Sequence, residues 1–222
     1  MSAKAKAKPV ESDLSQYGVL AEYNRKRRFG VTPEPPGRPG RRRGRGLAFV
    51  VQKHRATALH YDVRLEHDGA MQSWAVPKGP SLDPANKRLA MMTEPHPMDY
   101  NAFEGVIPEG EYGGGTVMIW DRGTWEPETA DVGAGLAKGE LKFRLHGRKL
   151  NGSWVLVRTR NRQWLMIKHR DRYASTEDVS VTRPLSVVSR RTMAGIARAA
   201  GASARQLELA LGADPPRASR SA

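Results

Sequence analysis

Cysteine is absent from the 222 residues of the chain, which excludes disulfide bonds and thiolate metal sites. Any metal ion would have to be bound by imidazole, by oxygen ligands or by water. Long apolar runs are absent too: none approaches the ~20 residues that span a bilayer. The N-terminal residues also lack the apolar stretch of a signal peptide. We therefore expect a cytoplasmic protein with no membrane partner.

Acidic residues are scarce in both flanks of the chain. Residues 1–46 carry 12 Lys/Arg and 4 Asp/Glu, residues 47–182 carry 18 and 17, and residues 183–222 carry 7 and 2. Within the middle segment, residues 141–173 carry ten basic side chains and one acid. A basic strip beside an acidic, histidine-containing half suits a polyanion held next to a cation. Nucleic acid is the favoured partner, and general solubility or an acidic membrane surface are the alternatives.

The two flanks differ in pattern from the middle of the chain. Ser12 is a candidate cap for a helix running to Phe29, in which apolar residues keep helical spacing. The Pro-, Gly- and Arg-rich segment 31–46 predicts an extended arm, with Arg41, Arg42, Arg43 and Arg45 either contacting phosphate or solvated. Two short helices are expected within 189–200 and 203–212, the second capped by Ser203. Residues 1–11 and 214–222 are expected to be disordered.

Residues 47–168 consist of short apolar or alternating runs separated by turn sequences. The eight runs are LAFVVQKH, LHYDVRLEH, MQSWAVP, KRLAMMTE, GTVMIWDRGTWEP, GELKFRLHG, GSWVLVRT and QWLMIKH. Strands at this spacing predict a mainly β fold, a small antiparallel β-barrel of about eight strands with flanking N- and C-terminal helices. No interior helix of useful length is expected. The five tryptophans alternate within these runs, which favours core packing over base stacking.

Two histidines, a carboxylate and a guanidinium fall within eleven residues, as His54, His60, Asp62 and Arg64. The last three are spaced by two, so a strand places them on one face and the intervening apolar residues on the other. The first three offer nitrogen and oxygen ligands for Mn2+, Zn2+, Co2+ or Fe2+. Arg64 continues the face and could grip an anion. An ordinary polar strand face with solvated histidines is the alternative.

A second polar cluster, Glu94, His96 and Tyr100, lies between prolines that stiffen the loop. Lys78 and Arg88 lie close to both clusters in sequence and are candidate phosphate ligands, although single surface cations are common. The glycine-rich run 109–120 lacks the Gly-Lys-Ser/Thr ending of a phosphate-binding loop and precedes a strand, so it predicts a tight turn edging the site.

A series of long motifs extends from FVVQKHRATALHYDVRLEHDG through PEGEYGGGTVMIWDRGTW to GELKFRLHGRKLNGSWVLVRT and SVVSRRTMAGIA. Together these motifs closely resemble the 3′-phosphoesterase domain of bacterial DNA ligase D. The resemblance covers roughly residues 23–197. It implies a manganese-dependent enzyme that is cytoplasmic and nucleoid-associated. Such an enzyme removes 3′-terminal ribonucleosides and then 3′-phosphates, leaving 3′-hydroxyls. It also implies a basic arm (1–46) that supports the site, a phosphoesterase barrel (47–182), and C-terminal helices with a basic tail (183–222).

The same resemblance implies roles for individual residues. The metal ligands would be His54, His60 and Asp62, and the scissile phosphate would be bound by Arg64 and His96. Residues that would assist are Lys78, Arg88, Tyr100, Gln52, Glu94, Arg27 and Glu34. Arg28 stands where the family commonly has an acid; if that acid orients Arg27, activity could be weaker, unless Glu34 compensates.

Several alternatives stay open from sequence alone. His96 could protonate the leaving oxygen or act as an electrostatic clamp. The C-terminal helices could contact a separate ligase, repair polymerase or end-binding protein, or could cover a barrel end. Two other functions compete: a non-catalytic module that binds DNA or DNA/RNA primer-template ends, and a non-haem iron oxygenase with a two-histidine, one-carboxylate site.

Overall fold

Ten antiparallel strands form one sheet in the computed structural model, which describes residues 14–38, 40 and 46–216. The strands are β1 (Leu47–Arg55), β2 (Leu59–His67), β3 (Ala70–Val76), β4 (Arg88–Met92), β5 (His96–Pro97), β6 (Gly105–Ile107), β7 (Gly115–Pro127), β8 (Glu140–Gly147), β9 (Asn151–Arg160) and β10 (Gln163–Lys168). Eight of them follow the order β1-β2-β3-β4-β10-β9-β8-β7, and β7 pairs back with β1 to close the barrel. The predicted barrel is confirmed.

The period of two along β2 separates the core from the polar face. Tyr61, Val63 and Leu65 point into the main hydrophobic core, so Asp62 and Arg64 point to the outer side of the barrel wall. All five tryptophans are buried, as predicted. The outer face stays buried near Asp62 and Arg64, because the N-terminal arm and the segment after β4 cover it.

A two-residue hairpin turn fixes how β2 pairs with β3. Asp68 and Gly69 both have positive φ (49° and 74°), which is the backbone conformation of a type I′ turn and matches the twist of the strands. The resulting register places Arg64 opposite Ser73 and Asp62 opposite Ala75. The turn therefore determines which residues of β3 lie beside the polar residues of β2.

The predicted N-terminal helix was wrong in type and length. The chain forms a 3-10 helix, Leu14–Leu20, broken at Gly18 (φ 48°, ψ −123°), and then a short α1, Ala21–Arg25. Apolar residues three apart also fit the 3.0-residue turn of a 3-10 helix. The predicted cap at Ser12, the arginines between 41 and 45 and the predicted disordered ends before 14 and after 216 lie outside the described residues.

An interior helix, α2 (Val132–Lys138), also corrects the sequence prediction. The Asp131 side chain caps it by accepting from the Ala134 N–H at 3.0 Å, and Gly139 ends it in the left-handed region (φ 93°). A second 3-10 turn, Met98–Ala102, follows β5. The remaining helices are α3 (Val179–Thr182), α4 (Met193–Ala199) and α5 (Ala204–Ala213).

The C-terminal helices α4 and α5 cover one end of the barrel. Met193, Ile196 and Ala210 join the same core cluster as the barrel interior. Ser203 caps α5, as predicted, by accepting from the Gln206 N–H. Covering the barrel is therefore one role of these helices. No helix within the described part of the chain has the length and apolar character required to cross a membrane.

Candidate metal and phosphate site

Three candidate ligands meet where β1 and β2 run side by side. The register pairs His54 with His60 and Gln52 with Asp62. Asp62 Oδ2 lies 3.6 Å from His54 Nδ1 and 3.7 Å from His60 Nε2. One ligand atom from each of the three residues lies within 4.8 Å of the others. The structure therefore brings together the group that the sequence predicted.

Main-chain carbonyls fix which nitrogen of each imidazole faces this point. His54 Nε2 lies 2.8 Å from the Gly113 carbonyl, and His60 Nδ1 lies 3.0 Å from the Ala58 carbonyl. A carbonyl oxygen only accepts, so each of these nitrogens carries the hydrogen. His54 Nδ1 and His60 Nε2 are left with lone pairs directed toward Asp62. Holding the far nitrogen in this way is how proteins orient metal-binding histidines.

The donor set fits a divalent cation. Two imidazole lone pairs and a carboxylate oxygen face one another without a hydrogen between them, an arrangement that a cation stabilises. Ligand atoms about 2.1 Å from one ion lie about 3.0–3.6 Å apart, close to the distances found here. Burial, which outweighs the opposing effect of the Asp62 carboxylate, keeps the pKa of His60 below its usual value, and this favours the neutral form that binds metal.

Asp62 is held in its charged form. Burial alone would raise the pKa of this carboxyl, but the positive charge of the Arg64 guanidinium beside it lowers it. Arg64 Nη2 donates to Asp62 Oδ2 at 3.1 Å. The same oxygen thus faces both the guanidinium and the candidate metal position.

Arg64 donates hydrogen bonds to three side chains and keeps N–H groups that are not used in these bonds. Nε donates to Gln52 Oε1 and Nη1 donates to Ser73 Oγ, both at 2.9 Å. With the bond to Asp62, three of its five N–H groups are used, so two are left for a bound anion. The guanidinium also lies 5.0 Å from the Tyr100 ring centroid. Arg64 is therefore a fixed donor at the cavity wall.

The opposite wall is built around Arg27 from the N-terminal arm. Its Nε donates to Glu34 Oε1 at 2.8 Å, and Nη1 lies 3.5 Å from Glu94 Oε1. Its guanidinium stacks on the Tyr23 ring at 3.7 Å. Nη2 lies 3.2 Å from His96 Nε2. Arg27 thus connects the arm to the segment that the sequence identified as a second cluster.

His96 is neutral in this arrangement. Its Nδ1 faces the Glu94 carbonyl at 2.9 Å and must donate to it, so Nε2 accepts from Arg27. Burial, and then Arg64 and Arg27, hold the pKa of His96 well below its usual value. Burial also raises the pKa of Tyr100 well above its usual value, so its hydroxyl stays protonated. Neither side chain adds charge to the wall.

These residues enclose one cavity of ≈ 340 Å³. Among its lining residues are Arg27, His54, His60, Asp62, Arg64, Glu94, His96 and Tyr100. Gln52 and Glu34 lie behind the wall: Gln52 bonds Arg64 and the carbonyls of Tyr100 and Phe103, and Glu34 bonds Arg27.

Two predicted phosphate ligands are not part of this cavity wall. Lys78 is exposed in the turn after β3, and Arg88 begins β4, partly buried, with its Nε lacking a hydrogen-bond partner among the described residues. Neither lines the cavity. Their assignment as phosphate ligands stays a prediction.

An acid at position 28 was expected to pair with Arg27, whereas Arg28 pairs with Glu111. Both its Nε (3.1 Å) and its Nη2 donate to the Glu111 carboxylate, in the glycine-rich loop. Arg27 keeps Glu34 and Glu94 as partners. The same loop provides Gly113, whose carbonyl orients His54, so the predicted edge of the site is confirmed.

Sequence reasoning missed several supporting groups. Ser73, Tyr23 and the carbonyls of Ala58 and Gly113 all hold residues of the site. Ser73 had a signal: a two-residue turn at Asp68 and Gly69 puts it directly opposite Arg64. The carbonyls had none, because every residue carries one.

Comparison with known proteins identifies the family. Residues 52–158 match the family model described as the DNA Ligase D 3′-phosphoesterase domain. This range includes the three candidate metal ligands, Arg64 and the whole second cluster. The chain contains a DNA ligase D 3′-phosphoesterase domain. The resemblance inferred from the sequence motifs is thereby confirmed.

The relatives are much longer proteins. The chain is 54% identical over 182 residues to the multifunctional non-homologous end joining protein LigD of Pseudomonas aeruginosa, covering 78% of this chain and 22% of the relative. It is 40% identical over 168 residues to LigD of Mycolicibacterium smegmatis (73% and 22%), and 44% identical over 156 residues to LigD of Mycobacterium tuberculosis (70% and 20%). The chain thus spans about a fifth of the length of these relatives.

Proposed function

We propose that this protein is a metal-dependent phosphoesterase that acts on the 3′ ends of DNA. As a phosphodiesterase it removes a 3′-terminal ribonucleoside, and as a phosphomonoesterase it removes the 3′-phosphate that remains. The product is a 3′-hydroxyl for repair synthesis and end joining. The observation that supports this most strongly is the single cavity in which the His54, His60 and Asp62 ligand set faces the guanidiniums of Arg64 and Arg27.

Charge balance supports a site that binds metal and phosphate together. Among the described residues that line this cavity, the cations Arg27 and Arg64 are matched by the carboxylates Asp62 and Glu94. A phosphate dianion added to a balanced, buried site is unfavourable. A divalent cation at the three candidate ligands supplies the missing positive charge.

Different residues of the chain would bind the metal and the phosphate. His54, His60 and Asp62 would hold the metal, which when bound neutralises phosphate charge and acts as a Lewis acid. The two free N–H groups of Arg64 would bind one or two phosphate oxygens. Arg27 would offer its guanidinium from the opposite wall. Fixed donors of this kind stabilise the charge that develops as a water attacks in line with the leaving oxygen.

His96 fits the role of clamp better than that of acid. Its Nε2 accepts from Arg27, and its lowered pKa leaves it neutral near pH 7. In this state its ring hydrogen is on Nδ1, which donates to the Glu94 carbonyl, so Nε2 has no hydrogen to give to the leaving oxygen. We assign it to positioning Arg27 and, through Arg27, the phosphate.

Mn2+ is our proposed metal, as the family resemblance implies. Co2+ and Zn2+ are alternatives, because a nitrogen and oxygen donor set accepts all three. The names of the relatives connect the domain with non-homologous end joining. We propose DNA or DNA/RNA primer-template 3′ ends as substrate, with a ligase, a repair polymerase or an end-binding protein acting on the product. A cytoplasmic, nucleoid-associated location follows from such a substrate.

The test is a labelled primer-template ending in one ribonucleotide, incubated with Mn2+ and sampled over time. We expect a 3′-phosphate intermediate that converts to a 3′-hydroxyl. His60→Ala should abolish both steps, whereas Lys138→Ala, which alters an exposed cation in the last turn of α2, should leave them unchanged. Tight binding of the primer-template without product, in Mn2+, Co2+ or Zn2+, would instead favour a non-catalytic end-binding module.

A further inference from the structure

A second cavity, of ≈ 580 Å³, lies between the β8–β9 turn and the segment that follows α3. Half of its eight lining residues are cationic and none is acidic: Arg148, Lys149, Thr182, Arg183, Pro184, Leu185, Val187 and Arg190. None of them lines the catalytic cavity. We call it the basic cavity.

The positive charges of the basic cavity are poorly neutralised. Arg148 and Arg190 are exposed, and within the described residues neither forms an ion pair. Arg183 has only a 3.7 Å contact with Glu177. The ammonium of Lys149 donates to two carbonyls, those of Arg183 and Leu185, both at 2.7 Å. An anion entering this cavity would therefore meet Arg148 and Arg190 without a competing carboxylate.

The nearest buried carboxylate, Asp121, is already committed to the backbone. Its Oδ1 accepts from the N–H groups of Arg122, Arg148 and Lys149, and its Oδ2 accepts from that of Leu150. Asp121 thus shapes the β8–β9 turn and directs Arg148 outward. It does not pair with the side chains that line the basic cavity.

The opposite side of the basic cavity, formed by the segment after α3, is attached to β7 by a hydrogen bond. The Val187 N–H donates to the Ile119 carbonyl at 3.0 Å, and Ser186 Oγ accepts from the N–H groups of Val188 and Ser189. Arg190 adopts a left-handed backbone (φ 60°), which is uncommon for a residue with a side chain. Burial, together with the repulsion of neighbouring cations, outweighs the attraction of Asp121 and lowers the pKa of Lys149 to about 7.

The basic cavity lies within reach of a duplex held at the catalytic cavity. His54 pairs with Val117 of β7, and Asp121 lies four residues further along that strand, which is about 13 Å. Four base-pair steps of B-form DNA cover a similar length. Arg148 also lines a neighbouring depression together with Arg122 and one acid, Asp99.

We propose that the basic cavity binds a backbone phosphate of duplex DNA, through Arg148 and Arg190. The inference rests on the proposed function, since it takes the substrate to be DNA. It adds a second contact that positions the duplex without touching the reacting phosphate. Contacts of this type contribute affinity and salt dependence but no sequence preference.

The test measures binding of a fluorescein-labelled 24-base-pair duplex by anisotropy, in EDTA and over a range of NaCl concentrations. Arg148→Ala/Arg190→Ala should weaken binding and lower the magnitude of the slope of log K against log salt by about 1, because the contact with one phosphate is lost. Lys138→Ala/Arg170→Ala is the charge-matched control: both residues are exposed, and neither lines either cavity. It should leave the slope unchanged. Arg148→Lys/Arg190→Lys should keep it as well.

Equal effects in the two alanine pairs would overturn the proposal, since net charge alone would explain the loss. So would an unchanged slope in Arg148→Ala/Arg190→Ala, or a lowered slope in the lysine pair. A catalytic readout adds independent evidence: the arginine-to-alanine pair should raise KM for the primer-template but leave hydrolysis of a mononucleoside 3′-phosphate unchanged. Because the binding assay contains no metal, failure of the proposed hydrolysis would not alter its outcome.

Discussion

The metal site makes its sharpest prediction at Asp62, whose carboxylate serves both Arg64 and the candidate metal position. Asp62→Asn keeps the shape of the side chain and removes its charge. The Arg64 guanidinium, 3% exposed and 3.1 Å from Asp62 Oδ2, then lacks its closest counter-charge. Two unit charges about 4 Å apart interact by about 4 kcal/mol at an effective dielectric of 20. Breaking a buried pair costs about 3–5 kcal/mol, so we expect the free energy of unfolding to fall by about that amount.

Adding metal should widen this difference. Wild-type protein at Mn2+ concentrations 100-fold above its Kd should gain about 2.7 kcal/mol, whereas the variant has lost its only anionic ligand and should gain little. Urea unfolding followed by tryptophan fluorescence, in EDTA and in MnCl2, measures both effects, since all five tryptophans are buried. Titration calorimetry with Mn2+ checks the loss of binding directly.

Asp121→Asn is the matched control. Asp121 is also a fully buried carboxylate, but it accepts from backbone N–H groups and lies outside the cavity. Its replacement should destabilise the protein and leave the Mn2+-induced gain intact. The reasoning is refuted if Asp62→Asn unfolds as wild type does in EDTA, or if Mn2+ stabilises it as much as wild type.

Three further predictions test other parts of the structure. Gln52→Leu removes the acceptor of Arg64 Nε and the side-chain donor to the carbonyls of Tyr100 and Phe103. We expect kcat to fall while Mn2+ affinity by calorimetry stays the same, and unchanged kcat would show that Gln52 does not position Arg64. The lowered pKa of Lys149, about 7 against 10.5, means that the unfolded chain binds more protons between these values, so stability should rise from pH 7 to pH 9. Lys149→Met should flatten that rise in urea midpoints, and a rise of equal size in the variant would contradict this. Gly115→Ala would place a Cβ 2.1 Å from the Arg55 carbonyl, at φ 150°; we expect severe loss of folded protein by circular dichroism, and normal folding would show that β1 and β7 can separate there.

The errors at the helices have identifiable physical causes. The apolar residues at 14, 17, 20 and 23 are three apart, a spacing that a 3-10 helix and an α-helix share, and Gly18 then breaks the run with a positive φ. Helix α2 contains two glycines, so its propensity is weak, and its cap at Asp131 and its stop at Gly139 carry the signal. Local sequence was ambiguous in both places.

The sequence alone determined the eight strands of the barrel, the barrel class and the shared face of His60, Asp62 and Arg64, because side-chain alternation is a local property of a strand. It missed the short strands β5 and β6. Tertiary structure decided the partners. Arg27 meets His96 across 69 residues, and His54 meets the Gly113 carbonyl across 59. Such contacts depend on barrel closure and on how the arm folds over β2. The candidate ligand set could therefore be proposed from spacing and from the family resemblance, whereas the tautomers of its histidines and the second guanidinium at the cavity required the fold.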